Sequence, residues 1–196
     1  MKFISELVRE AHKNAVSKGW WEEDRSFGEI IALIHSEGSE ALEDFRNGAE
    51  PHATWYEKKT GTEIRLATEP VDETWKPCGI PSELADICIR IFDTAGRYNW
   101  GSRLEASAIE SIERCFKSDE KYNSFPEHLT SIHFDLSQAW NYRARGSERL
   151  AIACLGHALN GVRCVAAKYN IGLDQAIAEK MAYNATRPHR HGGKVL

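Results

Sequence analysis

Residues 32–48 read ALIHSEGSEALEDFRNG, and residues 130–146 read TSIHFDLSQAWNYRARG. Ile34/Ile132, His35/His133, Ser39/Ser137, Ala41/Ala139 and Gly48/Gly146 pair at a constant offset of 98 residues. Two later strings, TAGRYNWG (94–101) and AAKYNIG (166–172), match at Tyr98/Tyr169, Asn99/Asn170 and Gly101/Gly172 with an offset of 71. The spacer in the second copy is shorter, as expected if it lacks a segment the first copy carries at about 49–80. Matched segments in the same order point to a duplicated unit, and their apolar spacing is helical. The expected fold is therefore all-α: one domain over 1–196, a helical bundle of two fused, diverged repeats. Repeat 1 spans about 1–100 and repeat 2 about 101–196.

Local signals place the elements. Residues 2–18 have a stripe at Phe3, Leu7, Ala11 and Ala15 and predict an amphipathic helix that Gly19 ends. Ser26 and Glu29 have the spacing of a capping box, and Phe27, Ile30, Ile31, Ile34, Leu42 and Phe45 follow at helical intervals. Asn47-Gly48 closes that second helix. A third begins near Pro81-Ser82, with proline in its first turn, and runs to about 99. Further helices are expected at about 103–117, 127–144, 148–169 and 173–185. The tail RPHRHGGKVL is expected to be extended. Residues 49–80 break the pattern with Pro51, Pro70 and Pro77. Thr54–Tyr56 and Glu63–Leu66, around Lys59-Thr60-Gly61, form either a small hairpin or part of a long loop. A loop of that length inside a domain calls for a job, and a lid over a site is the natural one.

Composition narrows the function. A net charge of −4 gives no basic field for a nucleic-acid backbone, so no nucleic-acid partner is expected. Five cysteines without a CxxC pair read as reduced thiols in a cytoplasm. The charged N-terminus is unlike a secretory signal, and no run of about 18 apolar residues predicts a membrane span. No GxxxxGK[ST] loop occurs, which argues against a P-loop ATPase.

Glu37 and Glu40 share a face of the second helix, and Glu83 and Asp86 share a face of the third. If these helices pack antiparallel, four carboxylates converge. An all-oxygen donor set suits Mg²⁺, with Mn²⁺ as the alternative, rather than Zn²⁺. All four lie beside apolar positions, where an acid is costly unless paired or metal-bound. Asp93 lies two turns beyond Asp86. Arg90, on the same face, is a partner for Asp86 or Asp93. In repeat 2 the matching positions are Asp135, Gln138, Cys154 and His157, so most ligands are lost there. Cys154 and His157 are expected to pack rather than to hold zinc, because no second ligand pair has suitable spacing.

The pattern E-x-x-E then E-x-x-D, on IHSEGSEALEDFR and SELADICIRIFD, resembles the MazG-like nucleotide pyrophosphohydrolases, relatives of the dimeric all-α dUTPases. ELVREAHKNAVSKGWWEEDRSFGEIIALIHSE and KMAYNATRPHRHGGK are similar to small phage and bacterial members. The resemblance covers 1–48, 79–99 and 169–194. It implies Mg²⁺-dependent hydrolysis of a (deoxy)nucleoside triphosphate to the monophosphate and pyrophosphate, for nucleotide-pool sanitation or adjustment. It further implies that Glu37, Glu40, Glu83 and Asp86 are metal ligands. Asp93 becomes an added ligand or water-orienting group, Glu40 the general base, and Lys180, Asn184 and Arg187 the phosphate contacts. The basic tail, with Arg190, His189, His191 and Lys194, either closes on the phosphates or stays solvated. Trp20, Trp21, Trp55 and Trp75 are candidates to stack on a base. The implied state is a monomeric pseudo-dimer or a homodimer. The alternative is a non-catalytic nucleotide-binding or scaffold protein derived from such an enzyme.

Overall fold

Helix starts and stops follow the local chemistry closely. In the computed structural model, which describes residues 3–119, 122 and 124–193, α1 spans Ile4–Ser17 and α2 spans Phe27–Arg46. Ser26 Oγ accepts from the Glu29 N–H at 3.2 Å while the Glu29 carboxylate accepts from the Ser26 N–H at 2.7 Å, the reciprocal cap that the spacing predicts. Helices α3 (Ile80–Arg97), α4 (Gly101–Asp119), α5 (Phe125–Ala144), α6 (Glu148–Lys168) and α7 (Leu173–Thr186) follow. The chain is thus mostly helical, with one small sheet.

Equivalent positions in the two halves have equivalent local geometry. Ser124 and Glu127 cap α5 as Ser26 and Glu29 cap α2. Gly48 and Gly146 leave α2 and α5 at φ +86° and +78°. Asn99 and Asn170 adopt φ +57° and +54°, a left-handed conformation that asparagine tolerates better than most residues. Each then returns a backbone bond to its helix, from Trp100 N–H to Ala95 O and from Ile171 N–H to Ala166 O.

The helices pack as two hairpins, α2 on α3 and α5 on α6, joined along α2 and α5. His35 and His133, paired in the 98-residue offset, stack with ring centroids 4.8 Å apart and Nδ1 atoms at 2.6 Å. Contact between equivalent residues is what an approximate twofold axis between α2 and α5 produces. The third helix of each half crosses over: α4, which follows α3, packs on α6, while α7, which follows α6, packs on α3. Fully buried Ile34, Leu84, Ile87, Ile91, Leu136 and Leu155 lie in one continuous core. Each such side chain contributes about 1.5–3 kcal/mol by leaving water.

Three details differ from expectation. In α1 the buried residues are Ile4, Val8 and Ala11, while Phe3 is 68% exposed. Both stripes have helical spacing, and contact with α3 and the start of α4 selects the one that includes Ile4 and Val8. The 49–80 segment is a three-stranded antiparallel sheet. β1 (Trp55–Thr60) and β2 (Glu63–Ala67) make the hairpin, and β3 (Lys76–Cys78) pairs with the other edge of β1. Pro77 hides β3 from a pattern search, yet proline is tolerated in an edge strand. The tail is not extended. It makes a tight turn at Arg190–Gly193, with the Arg190 N–H on Lys18 O at 2.8 Å. Helix α6 is long and apolar enough to cross a bilayer by length and composition alone, but 61% of that stretch is buried inside the bundle.

Gly96 sets the α1–α3 approach. A Cβ there would lie 2.3 Å from His12 Cβ. Gly96→Ala is expected to cost roughly 1–3 kcal/mol by forcing these helices apart. Chemical denaturation checks this, and an unchanged midpoint would contradict the close packing.

Candidate metal centre

Helix α3 is capped at Gly79 with Pro81 in its first turn, and this start places Glu83 and Asp86 beside Glu37 of α2 and Ser82 beside Lys180 of α7. The contacts Asp24–Arg97 and Glu37–Arg90 run in opposite order along α2 and its approach, so α2 and α3 are antiparallel. Glu37, Glu83 and Asp86 consequently meet, with one carboxylate oxygen from each within 4.8 Å of the others. Their side chains are only 6%, 7% and 17% exposed. Among the described residues this is the one such gathering of potential metal ligands. Glu40 stands apart from the trio, exposed at the mouth of the cleft that they line.

Two cations hold the trio. Arg90 Nε donates to Glu37 Oε1 at 2.5 Å, rather than to Asp86 or Asp93 as its position on α3 suggested. Glu37 lies across the helix interface and is closer than either acid on Arg90's own helix. Lys180, 3% exposed, reaches over from α7. Its Nζ lies 2.8 Å from Asp86 Oδ2, 4.0 Å from Glu83 Oε1 and 2.7 Å from Ser82 Oγ. The Ser82 hydroxyl donates in turn to Pro77 O at 2.7 Å, which ties β3 to the site.

The electrostatics show unbalanced negative charge. Burial pushes the Glu83 carboxyl up to about 7, with Lys180 opposing and Asp86 and Glu37 adding to the rise. Burial likewise raises Glu37, against Arg90. Burial works against the charged form of Lys180, but Asp86 and Glu83 more than offset it and raise the ammonium above its ordinary range. Buried carboxylates that resist ionisation beside one another fit a divalent cation, and their all-oxygen donors suit Mg²⁺ or Mn²⁺. Asn184 supplies an independent sign. Its Oδ1 is buried beside this cleft without a hydrogen-bond partner, an acceptor left for a metal-bound water or a donor group.

The cleft holds about 350 Å³. Facing the acids are Arg25, Arg90, Arg187, Lys76, Lys180 and His191. Arg187 packs over Tyr183 at 5.6 Å and, among the described residues, has no carboxylate partner. Arg25 lies over Trp20 at 4.9 Å and is equally unpaired among them. Burial lowers both guanidinium groups from their ordinary value without approaching neutrality at physiological pH.

The structure brings Glu37, Glu40, Glu83, Asp86, Asp93, Lys180, Asn184 and Arg187 to this one cleft. Asp93 sits away from the trio. Its Oδ1 accepts from His12 Nδ1 at 2.8 Å and from Trp21 Nε1 at 2.9 Å. Arg190 does not line the cleft, contrary to its expected phosphate contact. It is held by Glu22, Glu23 and Gly19 O, because the loop after α1 offers two carboxylates where the tail folds back. His191, next to it, does line the cleft. Lys194 lies outside the described residues. Arg25, Lys76 and Ser82 belong to the site without having been legible in sequence. They come from a loop, a three-residue strand and a helix start, and no spacing rule relates them to the acids.

No family model, curated protein or solved structure matches the chain. In the second half, Asp135 lies at the 98-residue offset from Glu37, and burial pushes it up to about 6. Cys154, in the place of Glu83, is pushed up to about 11 by burial, with Asp135 adding to the rise. A mostly protonated thiol there is a poor ligand for a hard cation.

Metal affinity should depend on pH. The folded Glu83 pKa is raised, so the native state holds a proton that the unfolded chain releases. Without metal, this group's contribution to stability therefore falls as pH rises from about 4.5 to about 7. Mg²⁺ competes with that proton, so stabilisation by Mg²⁺ is expected to be larger at pH 8 than at pH 5. Thermal melts with chelator and with Mg²⁺ at both pH values test this. An Mg²⁺ effect equal at both would sink it.

Proposed function

We propose that this chain is a MazG-like, Mg²⁺-dependent nucleoside triphosphate pyrophosphohydrolase, formed by two fused and diverged repeats with the catalytic site in the first. The observation that carries the reading is the buried trio Glu37, Glu83 and Asp86 facing unpaired Arg25 and Arg187 across one cleft. A polyanion plus a divalent cation satisfies both walls together. The reading also accounts for α7: the crossover that seats it on α3 delivers Lys180, Asn184 and Arg187 from the end of the chain to the first repeat's acids.

Glu37, Glu83 and Asp86, with Glu40 at the mouth, would hold the cation. It would supply neutralisation of the triphosphate and acidification of a water at neutral pH. Arg25 and Arg187 bind phosphate oxygens with planar, multi-donor groups suited to that task. Lys180 and Ser82 fix the position of Asp86. Glu40, exposed at the mouth, accepts the proton of the water that attacks the α-phosphorus. The bond from that phosphorus to the bridging oxygen breaks, and pyrophosphate leaves. Asp93, held by His12 and Trp21, lines the far part of the cleft as a water-orienting group. The second repeat takes the place of a partner subunit, with His35 and His133 at the join, so a monomer suffices. A cytoplasmic nucleotide pool is the proposed setting.

Purified protein with Mg²⁺ should release pyrophosphate and a nucleoside monophosphate from at least one member of a panel of dNTPs and NTPs. Glu40→Gln should lower that rate by about a hundredfold or more. Folded protein that turns over no nucleotide with Mg²⁺ or Mn²⁺ would move the assignment to a non-catalytic nucleotide-binding or scaffold role.

A further inference from the structure

The 49–80 segment supplies Lys76 to the cleft and also walls a space beside it. A second cavity of about 210 Å³ adjoins the cleft and shares Glu40, Lys76 and Glu83 with it. Arg25, Arg90 and Arg187 line the cleft and are absent from this cavity. A nucleoside triphosphate spanning the two must therefore lay its phosphates among the arginines and its nucleoside on the far side of the acids.

The far cavity has a flat wall and an acceptor edge. Trp55 on β1 lies against Gly79, where a Cβ would come within 2.8 Å of the indole ring. Gly79 also has φ +96°, so the close approach of ring and backbone depends on glycine twice over. Around this wall stand Glu57 on β1 and Glu43 and Asp44 on α2. The Trp55 Nε1–H points to Glu57 Oε1 at 3.4 Å. Asp44 and Glu57 are partly buried, and both line this cavity. Lys76 alone supplies positive charge, and it stands at the junction with the cleft.

We propose that this cavity is the base subsite, and that it selects nucleobases bearing an exocyclic amine. This rests on the pyrophosphohydrolase reading for the placement of the phosphates. Ionised carboxylates only accept hydrogen bonds. Adenine and cytosine present an exocyclic amine beside a ring acceptor and guanine an amine beside a ring N–H, whereas thymine and uracil offer one ring N–H flanked by two carbonyl oxygens. Glu57 and Asp44 accept from the amine and repel the carbonyl. Trp55 stacks on the ring and tolerates any base. A site built to bond a polar group discriminates strongly against analogues that lack it, because its own buried groups are left unpaired.

The test has two readouts. Initial rates are measured with Mg²⁺ for dATP, dCTP, dGTP, dUTP and dTTP. Binding of their α,β-imido analogues with Mg²⁺ is measured by calorimetry. At least one amino-bearing base should exceed both dUTP and dTTP by about a hundredfold or more, in kcat/KM and in affinity. Asp44→Asn and Glu57→Gln should shrink that ratio, since an amide offers a donor as well as an acceptor. The ratio within one variant does not depend on how much of the protein is folded. Trp55→Ala should weaken all bases by on the order of tenfold to a hundredfold. Preferred turnover or binding of dUTP or dTTP, or affinity indifferent to the base, overturns the subsite and leaves the hydrolase reading standing. Base-selective binding without turnover of any nucleotide ends the hydrolase reading and upholds the subsite.

Discussion

Glu83→Gln is expected to abolish Mg²⁺-dependent pyrophosphate release, by about a thousandfold or more, and at the same time to raise the melting temperature of the metal-free protein at pH 8. The two effects have one cause. Glutamine matches the shape of glutamate but cannot neutralise a cation, and a thousandfold corresponds to about 4 kcal/mol of transition-state stabilisation. In the absence of metal, the same carboxylate is a liability. It is 7% exposed and held up at about 7 by burial. At pH 8 the native protein bears the cost of ionising it, and the variant does not. At pH 5 the native carboxyl is already protonated, so the stability difference should shrink. Lys180 keeps its two close contacts, with Asp86 and Ser82, and loses only the longer 4.0 Å attraction to Glu83, which offsets part of the gain. Pyrophosphate assays and melts in chelator at both pH values check this. A variant equally destabilised at pH 5 and pH 8 would mean that Glu83 is an ordinary structural partner.

Lys180→Met should act in the opposite direction on stability. The ammonium is the nearest positive charge to Asp86 and also opposes the ionisation of Glu83. Removing one partner of a buried charged pair typically costs about 3–5 kcal/mol, a fall of roughly 10 °C in melting temperature for a chain of this size. Mg²⁺ should restore more stability to this variant than to the native protein, since a divalent cation supplies the charge that the lysine no longer brings. Melting curves with chelator and with Mg²⁺ decide the matter. A gain from Mg²⁺ no larger in the variant than in the native chain would show that Lys180 does not balance a charge that a cation could replace at Glu83 and Asp86.

Both outcomes hinge on a contact between residues 83 and 86 and residue 180, far apart in the chain. Without α7 on α3, the acids of α2 and α3 would have Arg90 as their remaining close cation among the described residues. Its equivalent in the other half, α4 on α6, carries Ile109 at the position that matches Lys180. The same half has Gln138, Cys154 and His157 at the offsets from Glu40, Glu83 and Asp86.

What the sequence determined by itself was local. The Ser26–Glu29 cap, the proline in the first turn of α3, the Gly48 exit and the Asn99 and Asn170 turns are each decided within a few residues, whereas the alternation around Lys59-Thr60-Gly61 left a hairpin and a long loop open, and the structure chose the hairpin. The placement of Glu37, Glu83 and Asp86 was also legible, because helical periodicity puts them on faces beside Ile34, Leu84 and Ile87. Tertiary structure decided everything that depended on which surfaces meet. It chose Ile4 and Val8 over Phe3 in α1, since two stripes of equal spacing compete and only the neighbours choose between them. It turned Arg90 to Glu37, because a side chain with several acids in reach pairs with the one that packing brings closest. It drew Arg190 to Glu22 and Glu23 when the tail folded back. It set β3 beside β1 and brought Trp55, Lys76 and Arg25 to the acids, through loops whose course no periodicity encodes. Above all it laid α7 on α3, where Lys180 meets Asp86 and Glu83, a long-range contact that no local spacing encodes.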